Sequence, residues 1–178
     1  HLICLGFKVD AILAGRPADI VDIEAQKNWR ALQPLKDFVT FHEVHDSSLI
    51  PSIEADVVVD ALLGVGLRGA PRPPIPQLVK KINEMETFRV SVDVPTGIDS
   101  DSGDVLGDAV RANLTITFHK IKPGLVKAKE YTGELTVKDI GLPLEFERFA
   151  GPGDVQLVVK PRPPEAHKGC LLYTSPSP

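Results

Sequence analysis

Two aspartates stand at the ends of short β-branched runs: Asp60 closes VVVD and Asp93 closes VSVD. Each run passes straight into a loop of glycine and proline, ALLGVGLRGAPRPP after the first and VPTGIDSDSG after the second. A carboxylate at a strand tip, partly withdrawn from water beside a ligand, can be tuned for general acid or base work, and Asp93 fits that role. It fits equally an aspartate that accepts hydrogen bonds from its own loop. The stretch Gly64, Val65, Gly66, Leu67, Arg68, Gly69, Ala70 interleaves glycines with one arginine. Glycine lets backbone N–H groups approach a phosphate closely, and an arginine fork pairs with its oxygens. The stretch matches neither the dinucleotide fingerprint nor a Walker A loop, and an ordinary mobile loop is its other reading. Asp60 and Thr96 add a carboxylate and a hydroxyl to the same region. Hard oxygens of this kind favour alkali or alkaline-earth cations over zinc or copper, and so few carboxylates suit a monovalent ion.

Such a site needs strands to hold it. Apolar runs like 56–63 and 88–94 read as strands of a buried parallel sheet, whose carboxyl ends are where open α/β folds bind ligands. Further strands are expected at 7–15, 38–41, 114–118 and 134–139. Residues 19–35 carry Ile20, Ile23, Trp29 and Leu32 at a rough helical period with Pro34 behind them, and a second helix is expected over 75–84. Residues 1–5 read as the last turn of a helix ended by Gly6. His42 and His45 fall in a polar connection, and the segment 119–133, with Lys120, Lys122, Lys127 and Lys129, reads as a solvated loop of which one or two lysines could meet a ligand phosphate. Strands alternating with helices predict one doubly wound α/β sheet, with Asp60 and Asp93 on neighbouring strands.

Other groups point to less. Asp99, Asp101 and Asp104 resemble part of a calcium loop but lack its terminal glutamate, so a solvated turn is expected. The histidines lack zinc spacing, and no GxSxG elbow surrounds a serine. A net charge of −4 gives no nucleic-acid or membrane footprint. No apolar run approaches the roughly 20 residues that span a bilayer. Cys4 and Cys170 form no framework, and with no leader in view a reducing, cytoplasmic location is expected.

Four stretches in order, VDALLGVGLRG, SVDVPTGIDSDSGDVLG, AVRANLTITFHKIKPGL and GELTVKDIGLP, resemble the NAD(P)H-hydrate epimerase family over residues 1–143. The resemblance implies a Rossmann-like three-layer α/β sandwich with a mainly parallel sheet, lacking here the family's first strand and its Gly-rich Asn-Asn-x-x-Asp loop. It implies interconversion of the R and S forms of hydrated NADH and NADPH, a small-molecule substrate, with potassium bound. By motif, Gly64–Ala70 would cradle the phosphates, Asp93 would contact the nicotinamide ring, and Asp60 and Thr96 would ligate potassium. The same fold serves mRNA-decapping enhancers and apolipoprotein-binding proteins, so a catalytically inactive scaffold or binding domain is the alternative; a homo-oligomer stays open. PRPPEAHKG resembles the linker and opening of an ATP/ADP-dependent hydrate dehydratase. The expected division is an epimerase domain over 1–150, a linker over 151–169, and a tail over 170–178, CLLYTSPSP, that resembles translated sequencing adapter.

Overall fold

Among the described residues, six parallel strands form two ladders. The computed structural model describes residues 1–52 and 54–142. The end of the expected domain, the linker over 151–169 and the tail over 170–178 lie outside the described residues. Strand β1 (Val9–Leu13) pairs with β2 (Val39–Glu43), with Val9 opposite Val39. Strands β3 (Val57–Asp60), β4 (Phe88–Val92), β5 (Leu114–Phe118) and β6 (Glu134–Lys138) form the second ladder in that order, every pair parallel. The single sheet expected from the sequence is therefore two sheets among the described residues. Apolar alternation identifies strands but carries no information on which strands share a ladder.

The strands are also shorter than their apolar runs. β3 stops at Asp60 rather than at residue 63, because the amides of Leu62 and Leu63 go to side chains instead of a ladder. Leu62 N–H donates to Asp60 Oδ1 at 3.4 Å and Leu63 N–H to Thr96 Oγ1 at 3.0 Å. β4 stops at Val92 because Asp93 takes a left-handed backbone, φ 68°. β2, by contrast, runs on through His42 to Glu43, beyond the expected span 38–41.

Helix α1 (Ile23–Leu32) begins at Asp22, whose carboxylate accepts from Ala25 N–H at 2.8 Å. It is shorter than the expected span 19–35, since Pro17 and Pro34 each lie in a separate 3-10 turn, Pro17–Asp19 and Gln33–Leu35. Helix α2 (Ile75–Glu84) matches its expected span and buries Leu78 and Val79. Its end is tied down by Asn83, which accepts from Arg111 N–H at 2.8 Å and donates to Ala109 O at 2.9 Å.

The lysine-rich segment is not a plain loop. It folds into two short helices, α3 (Pro123–Lys127) and α4 (Lys129–Thr132), which make the crossover from β5 to β6. Proline in the first turn of α3 costs no hydrogen bond there. Leu125 and Ala128 from this crossover pack with Val94, Ile98 and Ala109, and Tyr131 and Leu135 close over them. Val94 and Ile98 belong to the loop that follows β4, so this cluster anchors the stretch just beyond Asp93.

Candidate functional site

Asp60 and Asp93 end adjacent parallel strands, as the spacing predicts. Their surroundings differ. Asp60 is 1% exposed and accepts four hydrogen bonds. Oδ2 takes Ser91 Oγ at 2.8 Å and Thr96 N–H at 2.9 Å; Oδ1 takes Thr96 Oγ1 at 2.7 Å and Leu62 N–H. A buried carboxyl group that meets only donors is fully satisfied. The β-ladder explains the serine, since register places Ser91 directly opposite Asp60 and Thr115 opposite Ser91. Three polar side chains thus cross the middle of a sheet whose interior positions are ordinarily aliphatic, and all three are buried.

Thr96 is the second hub. Its hydroxyl accepts from Leu63 N–H and lies 2.7 Å from Asp60 Oδ1 and 3.2 Å from Leu63 O. Gly97 follows at φ 95°, and a methyl group there would lie 2.1 Å from Asp108 O, so only glycine lets the chain pass. Asp60, Thr96 and the Leu63 carbonyl are all oxygen groups with a single carboxylate, a set that suits a monovalent hard cation only where the cation displaces one of the protein donors that now occupy both Asp60 oxygens.

Asp93 lies just beyond β4, with its backbone N–H still paired to Ile116 O at 2.8 Å. His119, beyond β5, has the same left-handed backbone, φ 63°. For residues other than glycine this conformation costs about 1–2 kcal/mol, and such strain concentrates at functional sites. Asp93 Oδ1 accepts from Thr117 Oγ1 at 3.2 Å, from Phe118 N–H at 3.2 Å, and from the Lys122 ammonium with which it forms an ion pair. Burial pushes its carboxyl up and is the largest single influence. The Lys122 and Phe118 hydrogen bonds, the lysine charge and the Thr117 hydroxyl together outweigh it, and the group is held below the usual aspartate range.

The loop Gly64, Val65, Gly66, Leu67, Arg68, Gly69, Ala70 follows β3, with Arg68 and all three glycines exposed. Gly66 and Gly69 take φ 101° and 80°, and a methyl group on either would meet nothing. These glycines serve backbone shape rather than packing. Asp99, by contrast, caps a local turn, accepting from Asp101 and Ser102 N–H at 2.9 and 2.8 Å. Lys122, expected on a solvated face, is instead three-quarters withdrawn from water and committed to Asp93. Sequence reasoning also passed over Ser91 and Thr117. A serine inside a β-branched run was the available signal for the first; nothing local marked the others.

Parallel strand order, strand-tip aspartates and a Gly-rich loop at the carboxyl edge define a Rossmann-like α/β protein, a fold that takes its ligands at that edge. The chain belongs to the family described as YjeF-related protein N-terminus, which matches residues 1–124. It is 47% identical over 92% of its length to the bifunctional NAD(P)H-hydrate repair enzyme Nnr of Archaeoglobus fulgidus, covering 33% of that protein. A 46% identical Nnr from Methanothermobacter thermautotrophicus is matched over 95% of this chain and 33% of its own. The NAD(P)H-hydrate epimerase of Cenarchaeum symbiosum is 34% identical, with 83% of this chain matching 68% of it. The chain thus spans about a third of the length of its bifunctional relatives. A crystal structure of yeast ynu0 superposes with a TM-score of 0.63 at 20% identity, over 85% of this chain and 65% of that one, which shows the shared fold.

Proposed function

We propose that this chain is an NAD(P)H-hydrate epimerase unit, interconverting the R and S forms of hydrated NADH and NADPH within a bifunctional repair protein of the reducing cytoplasm. The observation that supports this most is Asp93, a carboxylate kept ionised at the carboxyl edge of the sheet beside an open Gly-rich loop, in a chain related to a protein of that name. The substrate carries a hydroxyl on C6 of the nicotinamide ring. The ring nitrogen expels the hydroxyl and leaves a cationic ring, and the returning water attacks the opposite face. An anionic carboxylate stabilises that cation and takes the proton of the incoming water. The carboxylate then passes that proton to the departed hydroxide, so one turnover takes in one water, releases another and leaves the carboxylate ionised. Arg68 and the amides of Gly64–Ala70 would hold the phosphates.

In this reading Asp60 and Thr96 hold potassium, which supplies positive charge that orders the two loops and offsets the phosphates. The alternative of an inactive scaffold gives no reason for an ionised aspartate held at a strained backbone position. The test is conversion of purified R-hydrate to S-hydrate by the whole chain in potassium buffer, followed by chromatography. Asp93→Asn keeps the left-handed backbone, which asparagine tolerates, and removes the charge. It should slow turnover by at least about a hundredfold. Turnover near that of the unchanged chain would remove Asp93 from the mechanism.

A further inference from the structure

An ammonium group has three N–H donors. Lys122 uses one on Asp93 Oδ1, one on Thr117 Oγ1 at 3.0 Å and one on Phe118 O at 3.1 Å. Asp93 Oδ1 is the matching hub, taking Lys122, the Thr117 hydroxyl and the Phe118 N–H. Thr117 donates to the aspartate and accepts from the lysine, so the three side chains close a ring. Carboxylate oxygen Oδ2 takes none of these bonds. The lysine stands immediately before α3, and its side chain is 22% exposed against 20% for Asp93. A lysine whose donors are all committed is not available to neutralise an arriving phosphate.

We infer that Lys122 is a positioning residue, which locks the Asp93 carboxylate through Oδ1 and leaves Oδ2 as the oxygen that meets the nicotinamide ring. For its substrate, this inference rests on the epimerase reading. The terminal torsion of an aspartate is broad and two-fold, so a free carboxylate samples many orientations. Three contacts from β5 and the start of α3 to a single oxygen remove that freedom. The gain is geometric, and displacing a catalytic group by about 1 Å can cost on the order of a hundredfold in rate. The lysine also places a positive charge beside the carboxylate without covering the second oxygen.

The experiment uses the whole chain with Lys122→Met, Lys122→Gln and Lys122→Arg, and has two readouts. In the first, the chain is labelled with [γ-13C]aspartate, and the Asp93 signal, assigned by its loss in Asp93→Asn, is followed by NMR from pH 7 to pH 2. The Asp93 midpoint is expected to move up in Lys122→Met and Lys122→Gln and to return in Lys122→Arg. An unmoved midpoint in either neutral variant overturns the clamp. In the second, the R-to-S hydrate reaction is followed at varied substrate. Lys122→Met should lower kcat about ten- to a hundredfold with KM changed less than about threefold, and Lys122→Arg should recover most of it. A folded Lys122→Met with unchanged kcat overturns the positioning role. Should Lys122→Met fail to give a native spectrum, Lys122→Gln, which keeps amide donors, supplies both comparisons. A chain without any epimerase activity defeats the functional reading alone, and the NMR midpoint still decides whether Lys122 holds Asp93.

Discussion

Thr96→Val is the sharpest test of how the site is built. Valine has nearly the volume of threonine, so the backbone and packing stay as they are while one hydroxyl is lost. Two hydrogen bonds go with it, the 2.7 Å contact to Asp60 Oδ1 and the 3.0 Å bond accepted from Leu63 N–H. Hydrogen bonds to charged groups are worth about 1.5–3 kcal/mol, and a neutral one about 1 kcal/mol. Asp60 keeps Ser91 and the Thr96 amide, so its loss is partial; Leu63 N–H is left without its acceptor. The expected destabilisation is about 2–4 kcal/mol. In a chain of this size that corresponds to a fall in Tm of roughly 4–16 °C. Thr96→Ser keeps the hydroxyl and should stay within about 1 kcal/mol of the parent. The assay is urea unfolding followed by circular dichroism in potassium-free buffer, repeated with potassium chloride. Added potassium should raise the midpoint of the parent chain and of Thr96→Ser, and leave Thr96→Val unmoved. A Thr96→Val chain unfolding within about 0.5 kcal/mol of the parent without potassium would refute the view that this hydroxyl ties the two loops together.

Three other outcomes follow from the same geometry. Gly97→Ala places a methyl group 2.1 Å from Asp108 O and 2.8 Å from Ala109 Cα at φ 95°, so it should destabilise by at least about 2 kcal/mol in the same unfolding assay. Asp93 is held ionised in the folded chain, and its folded pKa lies below its unfolded value. Its contribution is therefore fully present above the unfolded value of about 3.9 and is lost as pH falls through the lower folded value. The difference in unfolding free energy between the parent and Asp93→Asn should be level from pH 7 to about pH 5 and shrink below about pH 4; a difference that grows on acidification would reverse the sign. Finally, Val57, Val59 and Phe88 share one face of β3 and β4 by register and are each about half exposed. The parent chain is expected to associate through this face as its concentration rises in analytical ultracentrifugation, and Val59→Lys to associate less while leaving Asp60, on the other face, in place; a parent that stays monomeric removes this face as a self-association surface.

Much of the site could be read from residue order because strand tips are local features. A β-branched run ending in aspartate before glycine and proline places Asp60 and Asp93 correctly, and α2 and β5 match their expected spans. What escaped was whatever depends on partners distant in sequence. Lys122 lies in a run that also holds Lys120, Lys127 and Lys129, and charge runs read as solvated faces. Its burial follows from the turn after β5, which brings it back over Thr117 and Phe118 to reach a carboxylate on another strand. Strand lengths were overestimated for a related reason. Leu62 and Leu63 are apolar and continue the pattern of β3, but their amides are claimed by Asp60 and Thr96. The short helices α3 and α4 carry too few residues to show a period, and only the proline at the start of α3 hinted at one.

One small arrangement sets the mechanics of the Gly-rich segment. Leu63 is held through its amide by the hydroxyl of Thr96, whose own proton goes to Asp60. At the other end, Ala70 is exposed. The segment is therefore a short span tied at Leu63, with exposed Gly64 the first residue beyond the tie. Fixing a backbone residue costs on the order of 1–2 kcal/mol, so the entropy lost when the span stiffens over a bound anion is confined to 64–70. Lengthening the span beyond Ala70 would leave that tie in place, whereas loosening Thr96 would free Leu63 and let the sweep of Arg68 widen.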